Sequence, residues 1–221
     1  MRRKGITAVL LAVGIMASLT GCGAAKIEYE DAAAAQKALN TAQTVSLKGE
    51  LNQVNQQTNI LADDKVAAYV VESGFWNTKW TISVDGETWF CMKEMDDDDV
   101  NDVEGVKPGS TYGFYDSEDN CIGYSQVQYM DDSDDEDDYY LIFMDEEGIL
   151  KDYFALADGT AVYDWDGNLI ATGSGEKKNM FSDKCNFEIK MEKDSKVQID
   201  FTDKFAIYEK LFANLRERYS N

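Results

Sequence analysis

The sequence predicts an α+β fold: a bent, mainly antiparallel β-sheet with one helix before it and an amphipathic helix after it. Three observations carry this. From residue 45 to residue 201 the chain is dominated by short apolar/polar alternations separated by turn-forming residues. An alanine-rich stretch precedes them, and a 3.6-residue apolar pattern follows. Only one proline, Pro108, interrupts the chain, so no proline-rich linker marks a second domain.

Asp31 is placed to cap a helix running to about Thr44, with Ala32, Ala35, Leu39 and Ala42 on one face. Residues 45–51 alternate as a strand. Residues 60–72 mix helical spacing (Val66, Tyr69, Val70) with β-rich composition and read as strand. Residues 79–93 form the clearest hairpin: Trp80, Ile82 and Val84 alternate, Asp85-Gly86 supplies the turn, and 87–92 return. A meander follows, with strands expected at 112–115, 122–130, 139–144, 150–156, 160–165, 169–172, 187–191 and 197–201. Its turns carry Glu147-Gly148, Asp158-Gly159 and Asp166-Gly167. The last helix opens at Thr202 or Asp203. Phe205, Tyr208, Leu211, Phe212, Leu215 and Tyr219 form its apolar face, expected to pack on the sheet, and Arg216 and Arg218 suit its C-terminal dipole end.

The first residues concern address rather than fold. Arg2, Arg3 and Lys4 precede an apolar run at 6–17, of signal-peptide length and short for a permanent span. Leu19-Thr20-Gly21-Cys22 closes it and resembles the lipobox of bacterial lipoproteins. The resemblance implies a signal peptide at 1–21, cleavage before Cys22 and a diacylglycerol thioether on Cys22. It further implies a tether at 22–30 and a single domain at 31–221, held at the extracytoplasmic side of a membrane.

Composition removes whole classes of chemistry. The formal net charge is −21, which repels nucleic-acid phosphates and anionic head groups and favours calcium, cationic ligands or basic partners. The chain has no histidine, so Ser-His-Asp and Cys-His catalysis, histidine metal sites and histidine pH switching are excluded. Once Cys22 carries lipid, Cys91, Cys121 and Cys185 remain, enough for at most one disulfide among three pairings.

The candidate sites are few. Tyr115-Asp116 to Ile122, Asp145 to Ile149 and Tyr163-Asp164 to Ile170 look alike and read as hairpin turns in which Asp accepts from the backbone. Asp164, Asp166 and Asn168 match the opening of a calcium loop, but Leu169 stands where glycine is required and Gly175 where the bidentate glutamate belongs. Acidic loops near 96–104 and 131–138 read as solvated, self-repelling segments. Ser174 and Lys177 have the Ser-x-x-Lys spacing of penicillin-recognising enzymes, yet Gly173 and Gly175 predict a loop and the partner motifs are missing. No catalytic residue, metal site or cofactor is therefore assigned, and the chain reads as non-enzymatic.

Residues 34–49, a helix running straight into a Ser-Leu-Lys-Gly first strand, resemble the LolA-like and LppX-like lipoprotein carriers. That resemblance implies an open half-barrel whose concave face shelters an apolar ligand under helices. The expected role is a membrane-anchored protein binding an apolar or small ligand. The alternative is a surface adaptor whose acidic loops bind a basic protein or calcium.

Overall fold

The computed structural model describes residues 26–50, 57–74, 78–96, 111–129, 139–180 and 182–220. Among them are two helices and twelve strands in the order α1 (Ala32–Thr41), β1 (Thr44–Glu50), β2 (Gln57–Ala62), β3 (Lys65–Ser73), β4 (Lys79–Val84), β5 (Glu87–Glu94), β6 (Thr111–Asp116), β7 (Cys121–Tyr129), β8 (Tyr139–Met144), β9 (Leu150–Leu156), β10 (Ala161–Asp164), β11 (Leu169–Lys177), β12 (Lys184–Met191) and α2 (Phe201–Ser220). Each strand pairs antiparallel with its neighbours in sequence, and β12 returns to β1. The expected antiparallel sheet and closing helix are present. The sheet is not the open half-barrel: it closes completely, through seven paired positions from Thr44↔Lys190 to Glu50↔Lys184.

Alternation sets which side of each strand faces inward. In β12, Cys185, Phe187, Ile189 and Met191 are buried while Lys184, Asn186, Glu188 and Lys190 are exposed. Two expectations change for identifiable reasons. Residues 60–72 are not one strand, because Asp63 and Asp64 both adopt positive φ (45° and 68°) and turn β2 into β3. Residues 197–201 are not a strand either. Both edges of β12 are already taken by β1 and β11, so a thirteenth strand has no partner, and the segment instead leads into α2.

Closing twelve strands leaves a lumen wider than their own side chains fill. Helix α2 occupies it. Phe201 and Phe205 meet Phe90 of β5, the Tyr208 hydroxyl donates to the Val45 carbonyl of β1, and Leu211 lies against β11. In the ring β5 stands opposite β11, so the first turns of α2 are enclosed between facing walls rather than laid on one face. All of residues 203–208 are buried. The helix also comes very close to the wall: a Cβ at Gly159, in the turn between β9 and β10, would lie 2.8 Å from the Leu211 side chain and 3.3 Å from the Ile207 carbonyl oxygen; on β11, one at Gly173 would lie 2.0 Å from the Gly159 carbonyl oxygen.

Enclosure takes Asp203 and Lys204 out of water, and both are partnered. Asp203 accepts from Lys151 Nζ at 2.7 Å and from the Tyr153 hydroxyl at 2.6 Å. Lys204 donates to the Leu39 and Asn40 carbonyls, both at 2.9 Å, at the C-terminal end of α1, where helix carbonyls lack internal partners. Asn40 answers by accepting the Phe201 N–H at 2.7 Å and so caps α2. Asp31 caps α1 as expected, accepting from Ala34 N–H at 2.8 Å.

Two substitutions test this packing. Asn40→Ala should lower unfolding free energy by about 1–2 kcal/mol in urea titrations, the usual cost of a lost helix cap. Gly173→Ala should cost about 3 kcal/mol, because backbone rather than a flexible side chain must yield. A Gly173→Ala protein as stable as the parent would mean that β11 and the turn between β9 and β10 are not in contact.

Candidate functional site

Helix α2 leaves the barrel at the rim where β3 and β5 end and where β4 and β6 begin. The inward parity of those strands continues to the rim, so Val70 is followed inward by Glu72, and Phe90 and Met92 by Glu94. Trp80 and Tyr112 take the matching positions on β4 and β6. Glu209 and Phe212 arrive from α2. Together they bound a solvent-open cleft of about 370 Å³ that also reaches Arg216. Below it a smaller pocket of about 50 Å³ runs inward between Leu47, Val70, Phe187, Phe205 and Tyr208. Glu72, Trp80, Glu209 and Phe212 line both, which makes the pocket the floor of the cleft.

The walls are aromatic and the polar groups mostly acidic. Trp80 and Tyr112 meet edge to face with centroids 5.9 Å apart. The Arg216 guanidinium lies 4.6 Å from the centre of the Phe212 ring and 3.8 Å from the Glu72 carboxylate. Burial pushes the Glu209 carboxyl up to about 7, helped by the nearby charges of Glu72 and Glu94 and opposed by Lys210 and Arg216. Burial also raises Glu72 above the usual carboxylate range, against the pull of Arg216. Partial burial, and then the charges of Glu209 and Glu94 and the hydrogen bond to Glu209, raise the Tyr112 hydroxyl as well. At neutral pH the cleft therefore holds a carboxylate poised between its two states.

A second polar group lies deeper, at the start of α2. Burial raises Asp203 to about 6 although Lys151 and Tyr153 hold it down, and its Oδ1 has no hydrogen-bond partner. Burial lowers Lys204 to about 8. Each is tied to the fold on several sides, so these groups anchor the helix.

The residues singled out by sequence fall elsewhere. Cys22 lies outside the described residues, as do 97–104 and 131–138 of the acidic loops. Asp164 accepts from the Asp166 and Asn168 N–H groups and from Asn168 Nδ2, and Asp116 and Asp145 make the same kind of turn. Their oxygens serve the backbone, as the turn reading expected. Ser174 and Lys177 lie within β11, not in a loop, and their odd spacing puts them on opposite faces. Lys177 sits over the Tyr219 ring at 4.4 Å. Cys91, Cys121 and Cys185 are free thiols, with Cys91 and Cys121 each opposite Tyr115 on flanking strands. Glu72, Glu94 and Glu209 were not singled out, although an inward-parity strand position ending in glutamate at two rim sites is the signal that marks them.

No family model matches the chain, and no curated protein or solved structure matches it either.

The raised carboxyl of Glu209 fixes a direction for stability against pH. The folded state holds this proton up to about pH 7, whereas the unfolded chain releases it near 4.5, so folding is favoured at low pH and loses that advantage as pH rises through 7. Glu209→Gln should therefore stabilise the protein by about 1–2 kcal/mol at pH 8 and by much less at pH 5, read from urea midpoints. Equal effects at both pH values would mean that Glu209 titrates normally.

Proposed function

We propose that this protein is a non-enzymatic, membrane-anchored lipoprotein of the extracytoplasmic face, held by lipid on Cys22, that binds a small ligand in the cleft at the exit of α2. The cleft carries the reading. It is concave, walled by Trp80, Tyr112 and Phe212, and has a few convergent polar groups and a carboxyl of displaced pKa, the usual anatomy of a small-molecule site. Its size limits the ligand. About 370 Å³ at the rim and about 50 Å³ beneath it suit a small molecule, whereas the lumen that would shelter acyl chains is taken by α2. The half-barrel carriers therefore serve as a parallel for the anchor and the tether, not for the cargo.

The filled lumen also favours a second reading, a surface adaptor, since such a domain needs only a packed core. Mass spectrometry of the chain purified from membranes separates these statements. The expected N-terminal peptide begins at Cys22 with diacylglycerol attached, and Cys22→Ala abolishes it. An unmodified or uncleaved N-terminus overturns the anchor. For the ligand, native spectra should show a small molecule held in stoichiometric amount and lost on Trp80→Ala. A bare mass under conditions that preserve the fold would favour the adaptor.

A further inference from the structure

We propose that the ligand of the α2-exit cleft is an organic cation bearing a guanidinium or alkylammonium group, and that Arg216 occupies part of its site in the unliganded protein. The inference rests on the small-ligand reading and adds the chemical class.

The cleft is lined by Glu72, Glu94, Glu209 and Glu217, with Arg216 the only cation on its wall among the described residues. Among the described residues Glu94 has no ion-pair partner, and the whole chain carries a formal charge of −21 that adds to the negative potential. Such a cleft disfavours anions and gains from one or two positive charges. The walls then decide between a metal ion and an organic cation. Among the described residues no three carboxylate or thiol groups stand close enough to hold a metal ion. Trp80, Tyr112 and Phe212 line it with aromatic rings instead, and such rings attract weakly hydrated cations such as guanidinium, as Phe212 does with Arg216.

Arg216 already displays this recognition. Its guanidinium pairs with Glu72 and stacks on Phe212 at once, a carboxylate and a ring acting on one planar cation. It comes from the last turns of α2, where residues 216–219 are exposed, so it can swing out without disturbing the buried turns. A ligand cation entering the cleft would meet Glu94 and Glu209 beside Trp80 and Tyr112 and would compete with Arg216 for Glu72.

Isothermal titration calorimetry on the detergent-purified chain tests this with three probes that share one butyl chain: n-butylguanidinium, n-butylammonium and neutral n-butanol. The expected result is saturable binding of the cations, guanidinium the tighter, and none of the alcohol. Glu94→Gln should weaken cation binding about tenfold. Arg216→Gln should tighten it several-fold, because the internal competitor is gone; a purely structural role for Arg216 predicts loss instead. Circular dichroism and melting curves show that each variant is folded. Binding of butanol as tight as that of the cations would overturn the cation assignment and leave the small-ligand reading standing. Weakened binding in Arg216→Gln would overturn the competition. Silence of every probe, with folded Arg216→Gln also silent, would overturn the whole inference, while a different molecule retained through purification would still uphold the small-ligand reading.

Discussion

Closing a ring of twelve strands creates an interior that the strands cannot fill, and the burial of α2 in that interior is what the remaining structure answers to. Full burial of Phe201, Phe205, Ile207, Leu211 and Leu215 contributes roughly 1.5–3 kcal/mol each. That gain must exceed the cost of carrying Asp203 and Lys204 into the same space, several kcal/mol per charge if unpaired. Pairing reduces the cost. Lys151 and Tyr153 meet Asp203, and two carbonyls of the last turn of α1, those of Leu39 and Asn40, meet Lys204. The short helix before the barrel is thereby fixed to the long helix inside it, across more than 160 residues of sequence.

The same constraint produces the cleft. A helix of 20 residues is longer than the part of the lumen that its apolar residues need, so its second half emerges at the rim. There the inward-facing positions of β3 and β5 cease to be apolar and become Glu72 and Glu94. Glu209 meets them from the helix. Acids gathered at the margin of a dry interior are only partly hydrated, and this is the physical origin of the raised carboxyls. Plug and site are thus two halves of one helix.

Much of the fold was legible in the sequence. The 79–93 hairpin, the meander with its Asp-Gly turns, the Asp31 cap and the closing helix each follow from local patterns of charge, alternation and turn chemistry. What was not legible depends on pairing between distant segments. Nothing in residues 44–50 or 184–191 announces that these strands join, and without that pairing the sheet reads as open and residues 197–201 as one more strand. The helix enclosure was hidden for a related reason. Asp203 and Lys204 look like ordinary surface charges near a helix start, and only the partners supplied by β9 and α1 make their burial tolerable. The cleft was half visible: Glu72 and Glu94 stand at inward parity, but Glu209 joins them only once α2 is threaded through the ring.

The measurement that bears most directly on this account is native-state hydrogen exchange along α2. With the helix enclosed, the amides of residues 203–211 should exchange only on global unfolding, with the same protection as β11 and β12, while those of 216–219 exchange much faster. Uniformly fast exchange along the helix, with the strands still protected, would mean that α2 lies outside a barrel that is stable without it, and the plug and the cleft would fall together.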